Sequence, residues 1–191
     1  MSGPLVEMVV ESVRVHMLSS NHVVILKASD GERYLPIWIG QWEAGAIAMR
    51  LQGVEPERPL THDLLAATLA ELGAEVRRIV ISDLADDTFR ARISIALGER
   101  IVEVDARPSD ALALAVRCGA PIYAEPEVLE VAGISPGEER GGADDVGAEL
   151  GGILGASGAG PADPRLAVFR EFINSLGTDA EGESREGPSR G

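Results

Sequence analysis

A chain of 191 residues with a formal net charge of -14 has the size of one ordinary domain plus a tail, and its acidity argues against gripping DNA or RNA through a broad positive field. Hydrophobic residues make up 45%, enough for a packed core, while the single cysteine, Cys118, excludes an internal disulfide and a Cys/His zinc site. A local basic surface or a recruited metal ion would still let such a chain act on nucleic acid.

The opening MSGPLVEMVVES has no basic stretch and carries Glu7 and Glu11 early, so it does not read as a signal peptide. With no apolar stretch near the roughly 20 residues of a membrane helix, the expectation is a cytoplasmic protein with no membrane partner. Val13–Met17 alternates like a half-buried strand, and Ser19-Ser20-Asn21 marks a turn. HVVILKA, SDGE and RYLPIWIG then read as strand, turn and strand. Gln41–Leu51 has helical character and is closed by Gly53, and VEPERP is an irregular loop. Thr61 opens a second helix that ends near Gly73. EVRRIVIS and TFRARISIAL are strands joined by the polar turn DLADD, and Gly98 turns the chain into RIVEVD. A third helix over 110–118 stops at Gly119 and leads to a short strand at Pro121–Tyr123.

Strands come in groups with helices inserted, which predicts an α+β domain over 1–134 with a mixed or antiparallel sheet and three main helices. Cys118, in an apolar helical run, reads as a small core residue. Trp38, Trp42, Tyr34 and Tyr123 also sit in apolar segments and read as core. Aromatics are only 4% of the chain, which weakens any single-strand-binding module built on stacking platforms.

After about Ile134 the composition changes. Residues 1–134 hold 12 basic and 20 acidic side chains, whereas the remainder holds 5 and 11. The glycine- and alanine-rich, acidic stretch 135–162 cannot bury enough surface to offset its ordering entropy and reads as a disordered linker. It leads to an amphipathic helix over 163–177, with Leu166, Phe169, Ile173 and Leu176 on one stripe, and a disordered tail over 178–191. That helix would dock on its own domain, on a protein partner or on a second subunit.

Two segments share a pattern. ERPLTHDLL and DARPSDALAL each place Arg-Pro, a hydroxyl and an aspartate before an apolar helical run. As helix punctuation, proline holds Arg58 and Arg107 extended, Thr61 and Ser109 serve as N-caps, and Asp63 and Asp110 sit in the first turn, favoured by the helix dipole. As chemistry, Glu43 also lies in a first turn, so all three helices begin with a carboxylate. Asp105 ends the strand leading to Arg107. If the helix starts converge, Glu43, Asp63, Asp105 and Asp110 meet Arg58 and Arg107. Mg²⁺ or Mn²⁺ favours oxygen ligands, and arginine forks grip phosphate, so these are parts of a metal-assisted phosphodiester hydrolase. His62 would be a general base or metal ligand, or an exposed first-turn residue with no task. His16 and His22 show no ligand spacing.

Arg90 and Arg92 share the polar face of a strand, with Arg77, Arg78 and Arg100 on neighbouring ones. That face would track a phosphate backbone, or it is a solvated surface balanced by nearby acids.

The run LPIWIGQWEAGAIAMRLQG through RPLTHDLL, then TFRARISI, then VDARPSDALALAVRCGAPIY resembles the bifunctional nuclease domain family, in order, over about Leu5 to Ile134. The Arg-Pro-Ser-Asp-Ala block is its most specific part. The resemblance implies an α+β domain, a nuclease acting on RNA and DNA, and a homodimer. The matching positions are Glu43, Arg58, His62, Asp63, Arg107, Ser109 and Asp110, and the roles assigned to them come from the chemistry above. Glu43, His62, Asp63 and Asp110 are the candidate catalytic residues, with Glu43, Asp63 and Asp110 on the metal. Arg58, Arg107, Ser109, Arg90 and Arg92 are the candidate phosphate contacts. The competing reading is a non-catalytic regulatory module that binds a protein partner through the acidic tail and final helix.

Overall fold

A computed structural model describes residues 3–15 and 22–135. The linker, the helix over 163–177, the tail and His16 lie outside the described residues.

Three strands open the fold, β1 (Val6–Val15), β2 (His22–Ala28) and β3 (Tyr34–Ile39). Helices α1 (Gln41–Leu51) and α2 (Thr61–Glu71) follow. A three-strand meander, β4 (Ala74–Ala85), β5 (Thr88–Leu97) and β6 (Arg100–Ala106), leads to α3 (Pro108–Cys118). The three-residue β7 (Ile122–Ala124) and a fourth helix, α4 (Pro126–Ala132), complete it. The seven strands form one mixed sheet in the order β3-β2-β1-β7-β4-β5-β6. Among the described residues only β4 and β7 pair in parallel. The α+β expectation holds. The short α4 is an addition to the three anticipated helices, and it opens with Pro126, whose ring suits the first helical turn.

Two-residue turns fix the meander. Asp86 and Asp87 both take positive φ, at 50° and 57°, the twist a tight hairpin requires, so the β4–β5 turn is shorter than the five-residue DLADD expected. Gly98, at φ 60°, does the same between β5 and β6.

Helix α3 is the centre of the molecule. Ala111, Leu112, Ala113, Leu114 and Ala115 are all buried, because α3 is covered by α1, α2, β4 and β5. Its alanines let these neighbours approach closely, and Ala44, Ala46 and Ile47 supply the buried face of α1. Of the small residues of EAGAIAM, Ala44 and Ala46 therefore serve the core, whereas Gly45 is exposed. Beneath lie Ile79, Ile81, Ala91 and Ile93 from the meander, with Val24, Leu26, Leu35 and Ile37 from the other half of the sheet.

Helix α2 behaves differently. No residue in it is buried, and Leu64 and Leu65 are exposed. Its attachment to the core comes from the half-buried Ala66 and Leu69.

Two expectations fail here. Cys118 is exposed at the end of α3, and Trp42 is 81% exposed on the first turn of α1. Apolar neighbours in sequence do not decide which side of a helix a residue occupies. Tyr34 is buried, as expected of it.

Candidate active site

Each of the first three helices carries a carboxylate at its third position: Glu43 in α1, Asp63 in α2 and Asp110 in α3. The amides of a helix start favour negative charge there. The capping residues, however, are Gly40, Leu60 and Arg107, and none makes a side-chain cap. Thr61 is instead the first residue of α2, and Ser109 lies buried inside the first turn of α3. The N-cap roles expected of these two hydroxyls are thus corrected. In α2 the cap's own amide is served by the aspartate: Leu60 N–H donates to Asp63 Oδ2 at 2.9 Å.

Arg107 joins two of the helix starts. Its Nε donates to Asp110 Oδ2 at 2.8 Å, and one terminal nitrogen reaches both Asp110 Oδ1 at 3.2 Å and Glu43 Oε1 at 2.8 Å. This planar fork fits carboxylates in a way lysine cannot. His62 adds the third helix, with Nε2 3.2 Å from Asp110 Oδ1. An ionised carboxylate only accepts hydrogen bonds, so Nε2 is the donor, and in the neutral imidazole Nδ1 carries the lone pair. Glu43, His62, Arg107 and Asp110 therefore form one network drawn from residues 67 positions apart in the chain, of which only Arg107 is largely exposed.

The other candidates stand apart from it. Asp63 is held by Arg117, whose Nε lies 2.5 Å from Asp63 Oδ1, so both its oxygens are engaged within the chain. Arg117 is a residue the sequence reading missed. Its side chain is only 6% exposed and also donates to the Ala113 carbonyl at 2.8 Å and the Ala46 carbonyl at 3.3 Å. Asp63 and Arg117 also line a cavity of about 270 Å³ with Met49, Arg50, Leu60 and the 54–59 loop. Arg58 is exposed on that loop and makes no ion pair among the described residues. Asp105 is exposed on β6, in register with Arg92. Arg92 donates to Glu125 at 3.2 Å, and Arg90 faces Asp83 across the β4–β5 pair. The arginines of this strand are thus matched by acids.

Charge sets how the aspartates titrate. Burial is the largest single influence on Asp110 and opposes its ionisation. The hydrogen bonds and charges of Arg107 and His62 together outweigh it and hold the carboxyl below the usual range. Asp63 is the same, with burial offset by the Leu60 amide and Arg117. A carboxyl with a lowered folded pKa contributes stability above its unfolded value, about 3.9, that is lost as pH falls through the folded one. The urea midpoint is therefore expected to drop below about pH 4, and Asp63→Asn to flatten that drop. An acid limb unchanged in the variant would show that the Asp63–Arg117 pair contributes nothing.

Among the described residues, no three His, Cys, Asp or Glu side chains are grouped to hold a metal ion by themselves. Glu43 and Asp110 put two carboxylates on one site, and because Arg107 and His62 engage both oxygens of Asp110, Arg107 would have to turn away for an ion to be held there. Such a pair suits a magnesium-like ion, which is commonly held by one or two carboxylates while substrate phosphate supplies other oxygens.

Comparison with known proteins bears on the family. A family model for the bifunctional nuclease domain matches residues 24–137. An uncharacterised Mycobacterium tuberculosis protein, Rv1829, is 48% identical over 173 residues, covering 91% of this chain and 96% of that protein. Bifunctional nuclease 1 of Oryza sativa subsp. indica is 27% identical over 58% of this chain and 34% of its own length. Bifunctional nuclease 2 of Arabidopsis thaliana is 28% identical over 52% of the chain and 31% of its own length. The chain thus spans about a third of these plant relatives. With the family match covering well over half of its residues, and all four members of the Glu43–Arg107–Asp110–His62 network inside the matched stretch, the chain belongs to the bifunctional nuclease domain family.

Proposed function

We propose that this protein hydrolyses phosphodiester bonds of RNA and DNA, assisted by a divalent Mg or Mn ion, at the Glu43–Arg107–Asp110–His62 network. The observation that carries the reading is Arg107, a largely exposed guanidinium bridging two carboxylates, one of which also orients a histidine. Family membership supports the nuclease class.

Each side chain has a task its chemistry suits. Arg107 turns its fork to a phosphate oxygen, exchanging one anionic partner for another. Glu43 and Asp110 hold the cation. When bound, such an ion stabilises charge developing on the phosphate and acidifies a coordinated water. His62, with Nε2–H committed to Asp110, presents Nδ1 to take the proton of the attacking water. Asp63, with both oxygens engaged, supports the helix start that presents His62.

The test is cleavage of RNA and single-stranded DNA by the purified full chain, with Mg²⁺, Mn²⁺ or chelator. Turnover that requires the divalent ion is expected. Chelator-insensitive cleavage would remove the metal from the scheme, and absence of cleavage with either ion would remove the reaction.

Gly40 gives a narrower prediction. A Cβ placed there would overlap Glu43 Oε2, because the glutamate folds back over the glycine. The backbone at Gly40, φ -69° and ψ 154°, accepts any residue, so Gly40→Ala is expected to change stability by no more than about 0.5 kcal/mol. Glu43 must shift from its place beside Gly40, and cleavage should fall about tenfold through displacement of a cation ligand, equivalent to about 1.4 kcal/mol of transition-state stabilisation. Unfolding and rate measurements on the same preparation check both halves.

A further inference from the structure

We infer that Arg117 is a positioning residue for His62, an inference that rests on the nuclease reading of the site above. The geometry is unusual for a basic residue in the last turn of a helix, where interaction with the local carbonyls is the ordinary role. Arg117 does satisfy a carbonyl of its own helix, that of Ala113. The rest of its fork leaves α3: Nε goes to Asp63 on α2, and a terminal nitrogen goes to the Ala46 carbonyl on α1. One buried guanidinium thereby touches all three helices that supply the network.

Helix α2 needs such a fastening. None of its residues is fully buried, and only the half-buried Ala66 and Leu69 pack against the core, far less than fixes α3 in place. Its polar ties to α3 are His62 with Asp110 and Asp63 with Arg117. On α2 the two tied residues are adjacent. On α3 they are seven residues apart, two turns along the same face, a backbone rise of about 10.5 Å. The packing of Ala66 and Leu69 holds α2 without direction, whereas two hydrogen-bonded ties to α3 set the rotation of its first turn. Arg117 supplies the second tie, so the direction of the His62 ring depends on it although it does not touch that ring.

Asp63 completes the linkage. Its second oxygen accepts the Leu60 amide, so the carboxylate that Arg117 grips is also the group that closes the first turn of α2. His62 lies between Leu60 and Asp63 in that turn. Displacing the carboxylate unseats the turn and the imidazole with it.

The experiment uses the full chain with Arg117→Met and Arg117→Lys, each checked for folding by circular dichroism. The chain has three histidines, so the His62 ring resonance is assignable with His62→Ala. Asp110→Ala supplies the position of that resonance when the His62–Asp110 contact is broken. In Arg117→Met the resonance is expected to move toward the Asp110→Ala position. Cleavage should fall 10- to 100-fold through kcat more than KM, and Arg117→Lys should recover part of both. In a His62→Ala background, Arg117→Met should cause no further fall. A folded Arg117→Met protein with the His62 resonance at its wild-type position overturns the inference, as does an undiminished effect in the His62→Ala background. If Arg117→Met does not fold, Arg117→Lys carries the same comparison, because its ammonium cannot meet all three partners at once. Absence of cleavage by the wild-type protein would refute the nuclease reading alone, since the His62 resonance still decides whether Arg117 directs the ring.

Discussion

Asp110→Asn is expected to slow cleavage by about 10²- to 10⁴-fold, the range for loss of a group that sets acid–base chemistry, and to leave the protein folded. The amide keeps the shape of the carboxylate, and the position is partly exposed at the edge of the core. What it loses is charge. Asp110 receives Arg107 through both oxygens and His62 through one of them, so a single substitution removes a charged ligand for the ion, puts an NH2 donor where one of these acceptor oxygens stood, and leaves a neutral amide oxygen to serve the rest. Loss of the helix-start charge should cost only about 0.3–1 kcal/mol of stability. Single-turnover cleavage and a urea unfolding curve on the same material separate the two effects. An Asn variant that turns over at the wild-type rate would take Asp110 out of the chemistry.

Leu112→Ala should have the largest effect on stability, about 2–5 kcal/mol, which is a sizeable part of the 5–15 kcal/mol that holds an ordinary domain together. Leu112 is fully buried in the middle of α3, with buried residues on both sides of it in sequence. A cavity there cannot collapse easily, because α1, α2, β4 and β5 all press on the same helix. The urea midpoint is the measurement, and a loss below about 1 kcal/mol would show that the helix can relax. Because Arg107, Asp110 and Arg117 all project from α3, cleavage by Leu112→Ala should lose its activity at a lower temperature than wild type, in step with unfolding.

Much of the fold was legible because local signals agreed with one another. Gln41–Leu51 and HVVILKA are bounded as expected, since the turn residues around them leave little choice. The helix starts were legible too, and so were the carboxylates standing in them. Their meeting was not. It depends on where α3 lies relative to α1 and α2, which follows from the sheet order and from no spacing along the chain. Glu43, His62, Arg107 and Asp110 converge, whereas Arg58 and Asp105 do not join them, although the sequence pattern gave no means of separating the two groups. Arg117 escaped notice because a basic residue in a last helical turn has an ordinary explanation. A signal was present nonetheless: a lone guanidinium in the apolar run ALALAVRC, seven residues after Asp110 and so on the same face. Trp42 and Cys118 misled for the opposite reason, because apolar company in sequence carries no information about direction once a helix turns.

The three-residue strand β7 has a consequence for the order in which the molecule assembles. β1–β3 and the β4–β6 meander are each knit from near neighbours in the chain, but they touch through β7, which pairs with Val6–Met8 on one side and Ile79–Ile81 on the other. Closing that seam brings together positions more than a hundred residues apart, the kind of step that limits folding rate through loop entropy. Two locally formed sheets waiting for one late keystone would give refolding kinetics that slow when β7 is weakened, while mutations inside either hairpin mainly hasten unfolding.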